Sequence, residues 1–224
     1  MRKLVHGAWM LGLAVAAAGC ASATASTAGI SPSAGALATG NQSVSPAAAA
    51  AGTPSSAAAA GPLGLLSIPA GATPWKVNTN APMTLVPWID QFFGAPSQAS
   101  EKSLYTERGF VSGGFEGWIN LDGSQQSIAI ARFADANGAT SAFDDLSNYL
   151  RQKPAPSTVF TVSADSAVGS VDPTLDSDGN AYVDVTARVG DYLVDVHEFS
   201  AATADPAAAK ALLLAQVDAL KDGS

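Results

Sequence analysis

AYVDVTARVGDYLVDVHEF, residues 181–199, is the stretch on which the fold turns. Val183 and Val185 stand two apart in its first half, and Val194 and Val196 two apart in its second. A period of two marks a strand whose alternate side chains enter a core. The break around Val189 to Asp191 folds the two arms into an antiparallel hairpin. The four valines then share one face, and Asp184, Asp195 and His197 fall on the opposite one.

Directly after the hairpin comes a helix. In DPAAAKALLLAQVDALKDG, residues 205–223, Asp205 is placed to cap and Pro206 to take the first helical position. Leu212, Leu213, Gln216 and Leu220 run along it, and Gly223 ends it. The same grammar occurs earlier. GFEGWINLDGSQQSIAIARF, residues 114–133, alternates on either side of Asp122-Gly123, a strong hairpin signal, and would set Phe115, Ile119, Ile128 and Ile130 on one face. DANGATSAFDDLSNYLRQK, residues 135–153, continues as a helix capped by Asp135, with Ala139, Phe143, Leu146 and Leu150 on one stripe and Pro154 beyond its end.

Thr158 to Val162 and Ala167 to Val171 supply further strands between the two units. Thr84, Pro87, Trp88, Ile89, Phe92, Phe93 and Gly94 spell a short capped helix before them. A hairpin followed by an amphipathic helix, twice over, cannot bury its apolar faces separately. The expected fold is therefore α+β, an antiparallel sheet built from two hairpin-plus-helix units with the helices packed on one face.

Upstream, the composition changes. From Ala21 to Trp75 there is no Asp, Glu, Lys or Arg, only a chain dominated by Ala, Ser, Thr, Gly and Pro. Such a stretch cannot bury enough surface to offset its ordering entropy and reads as a tether. Random-coil scaling gives about 50 residues of it a span on the order of 40 Å. The organisation expected is a leader over residues 1–19, a disordered tether over 20–73 and one domain over 74–222.

The leader begins Met-Arg-Lys and continues with an apolar segment from about Gly7 to Gly19, which is of secretory length and short for a membrane span. Ala17, Ala18, Gly19 and Cys20 resemble the processing box of bacterial lipoproteins. The resemblance implies that Cys20 receives a thioether-linked diacylglycerol and becomes the first residue of the mature chain, held to the membrane by its acyl chains. One chain alone binds marginally, whereas two or more on a single cysteine give lasting attachment. Ordinary secretion, with cleavage after Ala21-Ser22-Ala23, is the alternative. Cys20 is the only cysteine, so no intrachain disulfide is available to the domain.

A second resemblance covers about Trp75 to Leu220. A strand ending Arg132-Phe133, a capped helix opening Ala136-Asn137-Gly138-Ala139, and a second hairpin leading into an alanine-rich helix look like the ectodomains of actinobacterial lipoproteins and of the sensor domains on their membrane kinases. This chain departs from several of those sensor domains in lacking paired cysteines.

Chemistry-bearing motifs are sparse. No nucleophile elbow, phosphate-binding loop or dinucleotide fingerprint is present. Asp176, Asp178 and Asn180 superficially resemble a calcium loop, but the glycine stands at the fourth place and no Glu at the twelfth, so a surface turn is expected. Asp184, Asp195 and His197 form the one cluster in which two carboxylates flank an imidazole. Such a group favours the charged histidine and, if it converged, would hold a metal. A solvated sheet face is the expectation there, since antiparallel sheets commonly leave one side wet. No cofactor is expected.

Without Arg2 and Lys3, nine basic residues face nineteen acidic ones, with no basic cluster, which argues against nucleic acid as a partner. The expected function is a non-catalytic, lipid-anchored binding or accessory module on the extracytoplasmic face, its partner an envelope protein or small ligand. A carrier of an apolar ligand in a sheet–helix cavity is one alternative. An envelope hydrolase assembled from Ser112, His197 and Asp195 is the other.

Overall fold

The computed structural model describes residues 63–77, 81–162, 167–175, 179–201 and 203–222. The leader, Cys20 and the tether up to residue 62 lie outside the described residues. The elements run β1 (Thr73–Pro74), α1 (Leu85–Phe92), α2 (Ala95–Glu107), β2 (Phe110–Ile119), β3 (Gln125–Phe133) and α3 (Ala136–Arg151). They continue as β4 (Thr158–Val162), β5 (Ala167–Asp172), β6 (Ala181–Val189), β7 (Tyr192–Ser200) and α4 (Pro206–Asp222). The seven strands form one open sheet in the order β1-β2-β3-β7-β6-β5-β4. Every neighbouring pair is antiparallel, and the two hairpins meet where β7 lies along β3. The fold is α+β.

The β6–β7 hairpin has the expected register. Val185 faces Val196 and Val189 faces Tyr192 across a two-residue turn in which Gly190 takes φ +57°. A left-handed residue there lets the turn follow the twist of the strands. The β2–β3 hairpin differs from expectation. A two-residue turn at Asp122-Gly123 would put Phe115 opposite Ile130, but Ile119 faces Gln125 across the loop 120–124, so Phe115 faces Ala129. Asp122 Oδ1 accepts from the Ser124 backbone N–H at 2.9 Å and from its hydroxyl at 2.6 Å, while Asn120 N–H donates to the Ser124 carbonyl at 2.8 Å. The longer loop slips the pairing by one residue and sends Phe115 and Ile119 to the face opposite Ile128 and Ile130.

The helices also divide between the two faces, where the sequence led us to expect one. Ile128, Ile130, Val183, Val185, Val194 and Val196 pack beneath α4 with Ala209, Leu213, Val217 and Leu220. Phe115, Ala129, Ala131, Phe133 and Leu193 lie on the other side, covered by α1, α2 and α3 through Trp88, Phe92, Tyr105, Phe143 and Leu150. Asp135 caps α3 by accepting from the N–H groups of Asn137 and Gly138 at 2.9 and 3.0 Å. Gly138 is required by close approach, since a Cβ there would lie 2.0 Å from the Arg108 carbonyl at the end of α2. Glycines in β2 serve the same purpose: side chains at Gly113 and Gly117 would strike the rings of Trp88 and Trp75.

Packed chain begins before residue 74. Leu65 is buried on the α4 face and Thr73–Pro74 pairs with β2, so this part of the expected tether belongs to the fold. Among the described residues, no helix is long and apolar enough to cross a membrane.

Candidate functional site

The cluster anticipated from strand alternation exists, but it is buried. Asp184 on β6 faces His197 on β7 in the register of the hairpin, and Asp195 precedes His197 by two on the same face. His197 Nδ1 lies 2.6 Å from Asp184 Oδ1 and Nε2 lies 3.1 Å from Asp195 Oδ2. The second oxygen of Asp184 pairs with Nζ of Lys153, which lies just beyond the end of α3. The four side chains expose only 6% (Lys153), 13% (Asp184), 13% (His197) and 5% (Asp195) of their surface. The wet face expected from the sequence is thus roofed by α3, and its charges neutralise one another in place of solvent.

Aromatic rings enclose the network. The Lys153 ammonium sits 4.7 Å from the centroid of Tyr182 and 5.7 Å from that of Tyr149, within cation–π range. The His197 ring stacks on Phe199 at 6.1 Å between centroids. Tyr182 donates to Asp172 Oδ2 at 3.1 Å, which fixes its ring over the lysine.

Burial and pairing oppose each other here. For Asp184, burial works to raise the pKa, but hydrogen bonding and charge from His197 and Lys153 win and hold it down at about 2. For His197, burial favours the neutral ring, yet the two carboxylates together push the imidazole up to about 10. Asp195 goes the other way: burial raises it and the imidazolium only partly offsets this. The consistent state at neutral pH is an imidazolium donating from both ring nitrogens, bracketed by Asp184 and Asp195. Asp195 Oδ1 is buried without a hydrogen-bond partner.

The two carboxylates lie against opposite nitrogens of one ring, and Lys153 holds the remaining oxygen of Asp184. The donors do not converge on a common point, so Asp184, Asp195 and His197 form a chain of ion pairs and do not present a metal cage. Nor does Ser112 join them. It pairs with Arg132, whereas His197 pairs with Ser127 and, through it, with Gly117. At about 3.3 Å per residue the five positions from Ser112 to Gly117 are roughly 16 Å along the strand, and the serine points to the opposite face. The hydrolase constellation is not assembled. Of the calcium candidates, Asp176 and Asp178 lie outside the described residues, and Asn180 leads into β6 after Gly179 at φ +81°.

Sequence reading missed Lys153, Tyr149 and Tyr182. Lys153 stands four residues after Tyr149, a spacing that places both on one side of a helix end. The signal becomes readable once α3 is seen to cover the sheet.

No family model matches the sequence, and no curated protein matches it. Among solved structures, the chain is similar to the extracellular domain of PknH from Mycobacterium tuberculosis, at 11% identity and a TM-score of 0.40, over 54% of this chain and 69% of that one. At that level the likeness assigns neither a family nor a ligand.

Proposed function

We propose that the protein is a lipid-anchored, non-catalytic binding or accessory module of the cell envelope, standing on the extracytoplasmic face. The observation that carries this reading is the leader of charged start, short apolar segment and Ala17-Ala18-Gly19-Cys20, which places the lone cysteine where an acyl anchor is attached. The low-complexity stretch after it supports a spacer between lipid and domain. The folded part supports a non-catalytic role in a specific way. Lys153, Asp184, Asp195 and His197 pair with one another under α3, and Ser112 stands on the opposite face of the sheet from them.

Replacing Cys20 tests the anchor. Cys20→Ser is expected to move the protein from the detergent phase to the aqueous phase, and mass spectrometry of the native N-terminus is expected to find acyl chains on Cys20. An unmodified chain starting at Thr24 is the result that would overturn the reading.

A further inference from the structure

The sheet ends differently on its two sides. The β1 side is closed: β1 is two residues long, and its Pro74 has no N–H to offer. Beyond it the edge of β2 is taken up by Trp75, whose N–H donates to the Gly117 carbonyl at 2.8 Å, and by Met83, which exchanges hydrogen bonds of 2.7 and 2.9 Å with Gly113. The β4 side is open. β4 pairs with β5 in an unbroken register from Thr158↔Val171 to Val162↔Ala167 and, among the described residues, has no strand beyond it. A row of backbone N–H and C=O groups along that edge is therefore left to pair with something else.

Open edges are usually protected by a charge, a proline or a bulge, and β4 has none of these. Its sequence, Thr-Val-Phe-Thr-Val, consists of strong strand formers, and no charged residue occurs from Pro154 to Ala164. The one bulky side chain does not obstruct the edge. Phe160 turns inward over Gly169, where a Cβ would lie 2.3 Å from its ring, and Lys210 of α4 covers it at 4.3 Å from the centroid. Val159, which is 42% exposed, and Thr161 stand exposed on the opposite face of the strand.

We propose that β4 pairs with β4 of a second copy, antiparallel, so that two molecules form a dimer through one continuous sheet. Charge, symmetry and register select this occupant. Without Arg2 and Lys3 the chain has nine basic and nineteen acidic residues, so two copies repel over much of their surface and meet without opposed like charges along this uncharged edge. β4 is the one open edge among the described residues, and a two-fold contact of β4 with itself closes the edge of both copies at once. The register centred on Phe160 pairs all five residues, with Thr158 opposite Val162 of the second copy and Val159 opposite its Thr161. The dimer is independent of the lipid anchor.

The full-length Cys20→Ser chain keeps the anchor out of the test. It is expected to show a monomer–dimer equilibrium in sedimentation, with amide exchange across Thr158–Val162 slowing as concentration rises into the millimolar range. Val159→Lys with Thr161→Lys sets lysine opposite lysine on both sides of the axis and should weaken the dimer severalfold, as should Val159→Glu with Thr161→Glu. Mixing the lysine chain with the glutamate chain should restore association as a one-to-one heterodimer, read by native mass spectrometry. A chain that stays monomeric throughout that range overturns the proposal and leaves the edge to an extended segment of another protein. A dimer that forms without protecting the β4 amides overturns it too, and that measurement needs no variant. So does a dimer that survives the lysine substitutions, or folded lysine and glutamate chains that fail to pair with each other.

Discussion

The two faces of the sheet solve the same problem with different chemistry. Beneath α4 the contact is aliphatic, valines and isoleucines from three strands meeting alanines and leucines of the helix. Beneath α3 the sheet presents aromatic and small residues together with three charged groups, which Lys153 from the end of α3 joins in a network that satisfies itself. The first face gains from each methylene separately. The second is cooperative, because removing one charge strands the others in a medium that cannot solvate them. A face that carries Asp and His is therefore not thereby a wet face; it is wet only if nothing covers it.

The largest effect should come from cutting the network. Asp184→Asn leaves Lys153 and His197 without their shared carboxylate and is expected to lower stability by about 3–5 kcal/mol in denaturant unfolding. Lys153→Met combined with Asp184→Leu should recover much of that loss, and failure to do so would remove the case for cooperativity. On the other face, Leu213→Ala should cost about 2–5 kcal/mol and should add to a second α4-face truncation well away from it without a coupling energy.

Acid and base separate the faces further. His197 is raised from its ordinary 6.5 to about 10, so the native state holds more protons than the unfolded chain across that interval. Its stabilisation is complete below about pH 6.5 and is lost as pH rises towards 10. Asp195, also raised, loses its contribution as pH rises above its ordinary 3.8, an interval that opens below that of His197. Asp184 is depressed to about 2, so its contribution is present above about pH 4 and is lost as pH falls through 2. The denaturation midpoint should fall from pH 6.5 to 10 in the wild type. Leu213→Ala should shift that curve down without changing its slope, while His197→Gln should flatten it.

Smaller effects mark the edges of each face. Gln216→Ala removes the side-chain contacts to the Gly64 carbonyl and the Leu66 N–H and is expected to cost about 1–2 kcal/mol, with faster hydrogen exchange at the Leu66 amide. Asp135→Ala removes the α3 cap and should cost about 1 kcal/mol, with faster exchange at Asn137 and Gly138.

The α4 face was legible in the sequence because its signals are local and repetitive. Alternating valines fix β6 and β7, and Asp205, Pro206 and the leucines fix α4. The other face was only half legible. α2 carries few apolar residues and buries little beyond Ser97 and Tyr105, so its helical period does not stand out. The slip in the first hairpin depends on side-chain bonds of Asn120, Asp122 and Ser124 that select a longer loop than Asp-Gly alone suggests. A clue to burial on both sides was nevertheless present: Ile128, Ala129, Ile130 and Ala131 form an unbroken apolar run, which suits a strand covered on both faces. With α3 assigned to the second face, Lys153 lands beside Asp184 and the polar cluster becomes an interior feature.

The most direct test is the titration of His197 itself. Histidine-selective labelling and NMR of the His6→Gln chain leave one imidazole to follow. A ring that stays protonated through neutral pH and deprotonates only near 10, or when the protein unfolds, is the predicted result. A ring that titrates at or below its ordinary value, with no change when Asp184 is replaced by Asn, would contradict a buried charge network beneath α3.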